Sequence, residues 1–462
     1  MKRSVIIFGA GVSGLTLGWK LAKQNYQVRI LEASSQVGGL AGTIRQKGYC
    51  LDFGPHSFFT DDEEISKIFH HLFPSPLPPL SRRVRFRYQG KYLDYPLTAQ
   101  SVLFQMGLHQ GLKALGSFLI TRFAPSKEPP LHEQSVKDWA VRHFGRHLYE
   151  TFFKPYTEQF WKIPAEDLSA QSIPTSTRTG FFKALHLMLQ KNSPGKNPSL
   201  MERETLPTFY PSTGYGELPE RILAEFLRAG GKLVLDSKVT GLEHLPSNEF
   251  RIETVENQTI TNYLADIVVS TIPLPVLIQT LEPAVSPEVR DAANRLKYRP
   301  LIVLGLMTSK QKVLRDWMYV YFLDRSYNRI FETSQFSSSA CPPGKNLLAL
   351  EIPCSFQDPL YCATAEDLLE KVLPDLHRDG LLERGDIEGM MLVKSKYAYP
   401  IYHLEYRKHL ALVHQYLSSI PNLHILGRTG EFRYMDADRC MRFALELFGK
   451  IDQHQPDKLP SY

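Results

Sequence analysis

"VIIFGAGVSGLTLGWKLAKQNYQVRILEASSQVGGLAG", Val5 to Gly42, is the stretch whose reading decides the fold. Its opening run, Val5–Phe8, is short, apolar and β-branched and ends in glycine, as a strand buried on both faces does. The next residues carry apolar side chains at helical spacing, and "YQVRILEAS" reads as a second strand. A β-α-β unit within about 30 residues is the setting in which a G-x-G-x-x-G motif carries weight. Gly9 permits the tight turn out of the strand, Gly11 lets the backbone approach a pyrophosphate, and Gly14 lets the helix pack closely on the sheet. Val12 and Ser13 open the helix, whose N-terminus favours phosphate charge. Glu32, followed by Ala33, closes the second strand 23 positions after Gly9, where a carboxylate can accept hydrogen bonds from an adenosine ribose. The stretch predicts a dinucleotide site.

The sequence beyond Glu32 narrows the choice of dinucleotide. Gly38, Gly39 and Leu40 follow in "ASSQVGGLAGT", and "GYCLDFGPHSF" is a candidate strand and turn containing Gly54, Pro55 and His56. This pattern resembles the FAD-binding start of the flavoprotein amine oxidase superfamily, which includes protoporphyrinogen oxidases and UDP-galactopyranose mutases. The resemblance implies FAD as cofactor, with the glycine pair along its pyrophosphate and the Gly54–His56 turn approaching the flavin ring. It also implies that Val239 lies beside the adenine. "NLHILGRTGEFRYMDADRCMRFALELFGK", with Gly427, Arg428 and Asp436, reads as a strand, a glycine turn and a closing helix; the resemblance implies that this helix points its positive N-terminus at the flavin pyrimidine.

The expected fold is therefore α/β: an FAD-binding Rossmann-like domain assembled from discontinuous segments, a helical cap and a mixed-sheet substrate domain. The expected segments are 1–60, 206–281 and 421–462 for the FAD domain, 61–205 for a helix-rich cap, and 282–420 for the substrate domain. Strand-like runs ("RPLIVLGLM", "WMYVYFL", "KNLLALEIP") and one helix ("AEDLLEKVLPDL") mark the last of these.

Within the superfamily, "GPHSFFTDDEE", "YQGKYLDYPL", "FFKPYTEQFW", "YNRIFETSQF" and "GRTGEFRYMDADR" resemble mutase motifs in the same order. By that resemblance Arg329 and Tyr434 contact a substrate diphosphate, and Arg178, in "PTSTRTGFF", is a looser match to another phosphate-contacting arginine. Arginine forks suit carboxylate as well as phosphate. A structural ion pair is the alternative role for each arginine, and capping of backbone groups is the alternative for His56. Two departures stand out. The second histidine that mutases carry in the flavin turn is replaced by Phe59, and the cap motif ends in Phe160-Trp161-Lys162 where mutases have tryptophan-glycine.

Composition bounds the remaining possibilities. The 462 residues allow at least two packed lobes, and 43% hydrophobic with 22% charged residues is ordinary for a soluble chain. A net charge of +6, scattered, is too diffuse for a nucleic-acid footprint. The densest basic stretch, "RRVRFRYQGK" (Arg82–Lys91), reads as an alternating strand with arginines facing solvent, with an anionic-substrate or membrane-surface patch as the alternative. Five dispersed cysteines without a C-x-x-C pair suggest buried thiols in a reducing compartment and no metal site. Glycines interrupt the only signal-like run, and nowhere do ~18 apolar residues follow one another. The expected location is cytoplasmic. In "FQMGLHQGLKALGSFLITRF" a stripe of Phe104, Leu108, Leu112, Leu115 and Leu119 predicts a helix packed on the core, with a peripheral membrane helix as the alternative.

Three functions follow. The first is an FAD-dependent oxidoreductase, protoporphyrinogen-oxidase-like or amine-oxidase-like, passing hydride from a small-molecule substrate to flavin N5. A mutase-like isomerase using reduced FAD as nucleophile on an anionic sugar nucleotide is the second. A flavin-binding protein without turnover is the third. No catalytic base is identified; His56, Arg329, Tyr434 and Arg178 are the substrate-side candidates.

Overall fold

The computed structural model describes residues 3–81, 83–88, 90–94, 108–122, 134–173 and 206–453. The chain begins β1 (Ser4–Phe8), α1 (Val12–Lys23), β2 (Gln27–Leu31), the hairpin β3–β4 (Thr43–Gln46, Tyr49–Asp52) and α2 (Glu63–Leu72). It continues through β5 (Val84–Tyr88), β6 (Lys91–Asp94), α3 (Leu108–Arg122), α4 (Val136–Leu148) and α5 (Lys154–Trp161). Next come α6 (Glu217–Arg228), β7 (Lys232–Val234), β8 (Ser237–His244), β9 (Phe250–Glu256), β10 (Thr259–Ala265), β11 (Ile267–Ser270), α7 (Leu274–Thr280), β12 (Leu281–Glu282) and α8 (Pro287–Arg295). Then follow β13 (Tyr298–Thr308), β14 (Tyr319–Phe322), β15 (Arg329–Glu332), β16 (Asn346–Ile352), α9 (Ala365–Arg378), β17 (Ile387–Pro400) and α10 (Tyr406–Ser418). The closing elements are β18 (Leu423–Ile425), α11 (Gly427–Gly430) and α12 (Ala437–Asp452).

One sheet is wholly parallel, in the order β18-β11-β1-β2-β7. Val5, Ile7 and Phe8 of β1 are fully buried, which explains a strand that is apolar from Val5 to Phe8 rather than alternating. Each such side chain contributes roughly 1.5–3 kcal/mol on leaving water. α1 lies between α6 and α12, and Gly18 brings it within contact of Ile30 and Phe226.

A seven-stranded sheet, β17-β13-β16-β15-β14-β5-β6, forms the second lobe. Its last two strands come from the 61–205 stretch: β5 pairs in parallel with β14, so that stretch extends the sheet as well as supplying helices. The arginines of this strand do not all face solvent. Arg83 does, but Arg87 is 12% exposed and bonds, at 2.7 Å, the fully buried carboxylate of Asp379, which Arg325 also holds. Burial of Asp379 requires this pairing.

The stripe of α3 also departs from its expected place. Leu112, Leu115, Leu119 and Ile120 are 58%, 47%, 43% and 78% exposed. The helix contacts α4 instead through its other side, where Gly145 approaches the Ser117–Phe118 backbone so closely that a Cβ would stand 2.6 Å from the Phe118 nitrogen. Phe104 lies outside the described residues, as does the Leu108 side chain. No helix among the described residues is long and apolar enough to cross a membrane. Cys50, Cys341, Cys354 and Cys440 are buried, whereas Cys362 is exposed.

The hairpin and the returning chain are joined around a buried carboxylate. Asp52 accepts hydrogen bonds from the Thr43 hydroxyl (2.5 Å), the Tyr210 hydroxyl (2.7 Å) and the Tyr215 N–H (3.2 Å). Burial outweighs these bonds and pushes its pKa up from 3.8 to about 6. The folded protein therefore holds this proton where the unfolded chain has lost it, so the stability Asp52 contributes is present below pH 3.8 and lost as pH rises through about 6. Asp52→Asn, which cannot ionise, should gain on the wild type by about 1 kcal/mol between pH 5 and 6 and by about 0.4 kcal/mol more up to pH 7.5. Denaturant melts at pH 5, 6 and 7.5 check this, and a pH-independent difference would refute it.

Candidate active site

A cleft of about 1310 Å³ separates the parallel sheet from the second lobe. On the sheet side it is floored by Gly9, Gly11, Val12, Ser13, Gly39 and Leu40, with Glu32 at one end. The glycines are there for packing reasons. A Cβ on Gly14 would stand 2.2 Å from the Gly9 carbonyl oxygen, and one on Gly9, whose φ is +98°, would meet Thr271 Oγ1 at 2.3 Å. Gly14 itself is buried beneath the turn and does not line the cleft. Gly11 is different: a Cβ there meets nothing within 4 Å, so its bareness serves the open space in front of it.

The second glycine turn frames the same space. The Gly38 N–H donates to the Ala10 carbonyl at 2.9 Å, and Gly38 pairs with Gly11 in an isolated bridge. Glu32 is fixed by accepting from the Ala10 N–H (2.7 Å) and the Ser34 N–H (2.9 Å). Ala33 is exposed just beyond it. Val239 is buried on β8 in the apolar cluster that contains Leu31, and is not among the cleft residues. Gly427, Arg428 and Asp436 also line the cleft, Gly427 packed against Ser13 and Asp436 as the N-cap residue of α12. These features suit FAD: a bare backbone cradle at a helix N-terminus for the pyrophosphate and a carboxylate for the ribose.

The opposite wall belongs to the second lobe and the helices around it. Phe86, Phe144, Phe152, Tyr156, Phe160 and Tyr321 line it. Arg329 stands at the seam, directly across the β15–β16 ladder from Glu351. Both its Nε (2.8 Å) and its Nη2 donate to Glu351 Oε2. A Cβ on Gly54 would lie 3.7 Å from Arg329 Nη2 and 3.7 Å from His56 Nε2, so arginine and histidine meet at the predicted flavin turn. Pro55 and His56 line the cleft. Burial, then Arg428 and Arg329, pulls the His56 pKa down to about 3, and its Nδ1 has no hydrogen-bond partner. The ring is neutral at physiological pH.

Arg428 is anchored by two hydrogen bonds to the Ala398 carbonyl (3.0 and 2.8 Å) and faces Tyr399 and Tyr434 at 4.8 and 4.3 Å. Tyr434, 50% exposed, stacks on Tyr399. The fold thus brings His56, Arg329 and Tyr434 to one cleft, while Arg178 lies outside the described residues. Lys162, in the position of the mutase glycine, has a left-handed φ of +57°, a conformation glycine adopts without strain. Sequence reasoning missed Tyr215, whose ring is 5.2 Å from His56, and the buried pair Arg299 and Glu351. The signal for that pair was present: each is a lone charge inside an apolar run, "YRPLIVLGLM" and "NLLALEI".

The profile of the flavin-containing amine oxidoreductases matches residues 12–414. The chain belongs to that family. As a flavin-containing amine oxidoreductase it takes FAD. It is 25% identical over 407 residues to protoporphyrinogen oxidase 1, chloroplastic, of Arabidopsis thaliana, covering 81% of this chain and 73% of that protein. It is 26% identical over 181 residues to the Klebsiella pneumoniae protein named "Probable UDP-galactopyranose mutase", covering 36% of this chain and 43% of that one. The structure of a reduced UDP-galactopyranose mutase superimposes with a TM-score of 0.81 at 18% identity, over 99% of this chain and 97% of that one, a likeness of fold.

Because Gly11 has φ −77° and ψ 178°, alanine fits its backbone and costs at most about 1 kcal/mol as a helix N-cap. Gly11→Ala should therefore fold and melt near the wild type yet retain at least tenfold less FAD, read from the visible spectrum of the purified protein. Full flavin content in this variant would remove the pyrophosphate from the Gly11 turn.

Proposed function

We propose that this chain is an FAD-dependent oxidoreductase, protoporphyrinogen-oxidase-like in its chemistry, acting on a planar, largely apolar substrate that carries an anionic group. The observation that carries the reading is the seam of the cleft, where an aromatic wall meets one guanidinium beside the Gly54–His56 turn. Aromatic faces hold and dehydrate the body of such a substrate, and a guanidinium orients its anion. Bound FAD supplies the hydride acceptor at N5. His56, with a pKa of about 3, is too weak a base to take a proton near neutrality, so its part is to hydrogen-bond and to fill the turn. Arg329 positions the anion through the nitrogen that Glu351 leaves unused, Nη1, which is 3.5 Å from the Tyr321 hydroxyl.

The mutase-like reading is supported by Arg329 and Tyr434 lining the same cleft, and is opposed by Phe59, which also lines it in place of the second histidine. Anaerobic titration separates the two. Protoporphyrinogen should bleach the oxidised flavin band. If instead UDP-galactose perturbs only the reduced flavin and raises thermal stability, by about 2.7 kcal/mol at a hundred times its Kd, the isomerase reading replaces the oxidase. A flavin spectrum indifferent to every substrate and electron donor would leave a flavin-binding protein without turnover. The outward leucines of α3 support peripheral contact with a lipid surface. Flotation with anionic vesicles should then be lost on Leu112→Glu with Leu119→Glu; unchanged flotation, or none by the wild type, would dismiss that contact.

A further inference from the structure

Arg299 is a charged side chain in a costly place. It is buried completely, and none of Nε, Nη1 and Nη2 has a hydrogen-bond partner. An unbonded guanidinium in the interior is expensive, because its five N–H groups have given up water without replacement. Two aromatic rings compensate in part, Phe160 with its centroid 4.0 Å from the guanidinium and Tyr399 at 4.9 Å. The nearest opposite charge is Glu351 Oε1, 3.5 Å from Nη2. A bulge between Arg299 and Leu301, across from Tyr399 on β17, fixes the residue in this place.

Glu351 shows what that neighbour does. A carboxylate facing an arginine normally offers both oxygens, one to each nitrogen of the fork. Here Oε2 alone receives both Nε and Nη2 of Arg329, while Oε1 accepts no hydrogen bond and faces Arg299. One carboxylate thus serves two guanidinium groups: Glu351 and Arg299 are walled off from water, and Arg329 is 15% exposed, at the cleft. We propose that Arg299 is a positioning residue: by holding Oε1 it keeps Glu351 from closing a two-oxygen fork on Arg329, so that Arg329 remains incompletely neutralised and presents Nη1 to an anion in the cleft. Without Arg299 the carboxylate rotates onto Arg329 and cancels the charge that the anion needs. This rests on the reading of Arg329 as the anion-binding group.

Inorganic pyrophosphate is the probe, its binding to the flavin-loaded protein measured by calorimetry. Arg329→Met should abolish binding. Arg299→Met should weaken it at least tenfold and Arg299→Lys, which keeps a cation beside Oε1, by less than threefold. Combined with Glu351→Gln, Arg299→Met should add less than twofold, because its effect passes through that carboxylate; a merely structural role would instead add in full and would not be rescued by lysine. If Arg299→Met fails to fold, Arg299→Gln takes its place in the same cycle. Unchanged affinity in the Arg299 variants, with Arg329→Met inactive in binding, overturns the positioning role alone. Absence of binding by the wild type, or binding indifferent to Arg329→Met, overturns the anion reading and the positioning role with it.

Discussion

The parallel ladder around β1 is the constraint on which the rest of the molecule depends. Five residues, Ser4–Phe8, pair with β2 on one side and with β11, some 260 positions later, on the other; β11 in turn pairs with β18 near the far end. Parallel strands cannot be joined by hairpins. Each long excursion of the chain therefore leaves this sheet and must come back to it, and the second lobe is what those excursions build. The cleft is the space left between the sheet's glycine turns and the material that returns over them. Closure is reinforced by charge: Arg442 of α12 grips Asp62, the N-cap of α2, through two hydrogen bonds, so the last helix is tied to the first segment beside the cleft mouth.

The second lobe carries its charges inside, and strand register decides where they meet. Arg329 and Glu351 are direct cross-strand partners, which puts their side chains on one face. Arg87 reaches Asp379 from a strand recruited to the sheet edge. In both cases an ionised group is tolerated in the interior because another element supplies its partner, 22 residues along the chain for Glu351 and almost three hundred for Asp379, and its value lies in orientation more than in net stability.

That distance explains what the sequence disclosed. The β1-α1-β2 unit, the glycine pair and Glu32 were legible because turn geometry and helical period are local properties, and the backbone around Gly9, Gly11 and Gly38 answers to them directly. Family likeness extended the reading to His56, Arg329, Arg428 and Tyr434, all of which reach the cleft. The leucines of α3 misled because a helical stripe tells that a face is apolar and not what covers it; Gly145 draws the opposite face of α3 onto α4. Arg87 misled because strand alternation says which way a side chain points, whereas its carboxylate partner is almost three hundred residues away.

Phe160, Arg299, Tyr399, Arg428 and Tyr434 form one cluster of rings and guanidinium groups, from the buried Arg299 to the half-exposed Tyr434. Its members come from α5, β13, β17, α11 and the loop between α11 and α12. Hydrogen bonds fix direction, whereas contact with a ring face fixes chiefly distance. Arg428 has both kinds of restraint, its two bonds to the Ala398 carbonyl and the rings beside it. Arg299 has the rings and no hydrogen bond. The two cations thus stand on unequal footings, one tethered to the backbone and the other held by the shape of its cage.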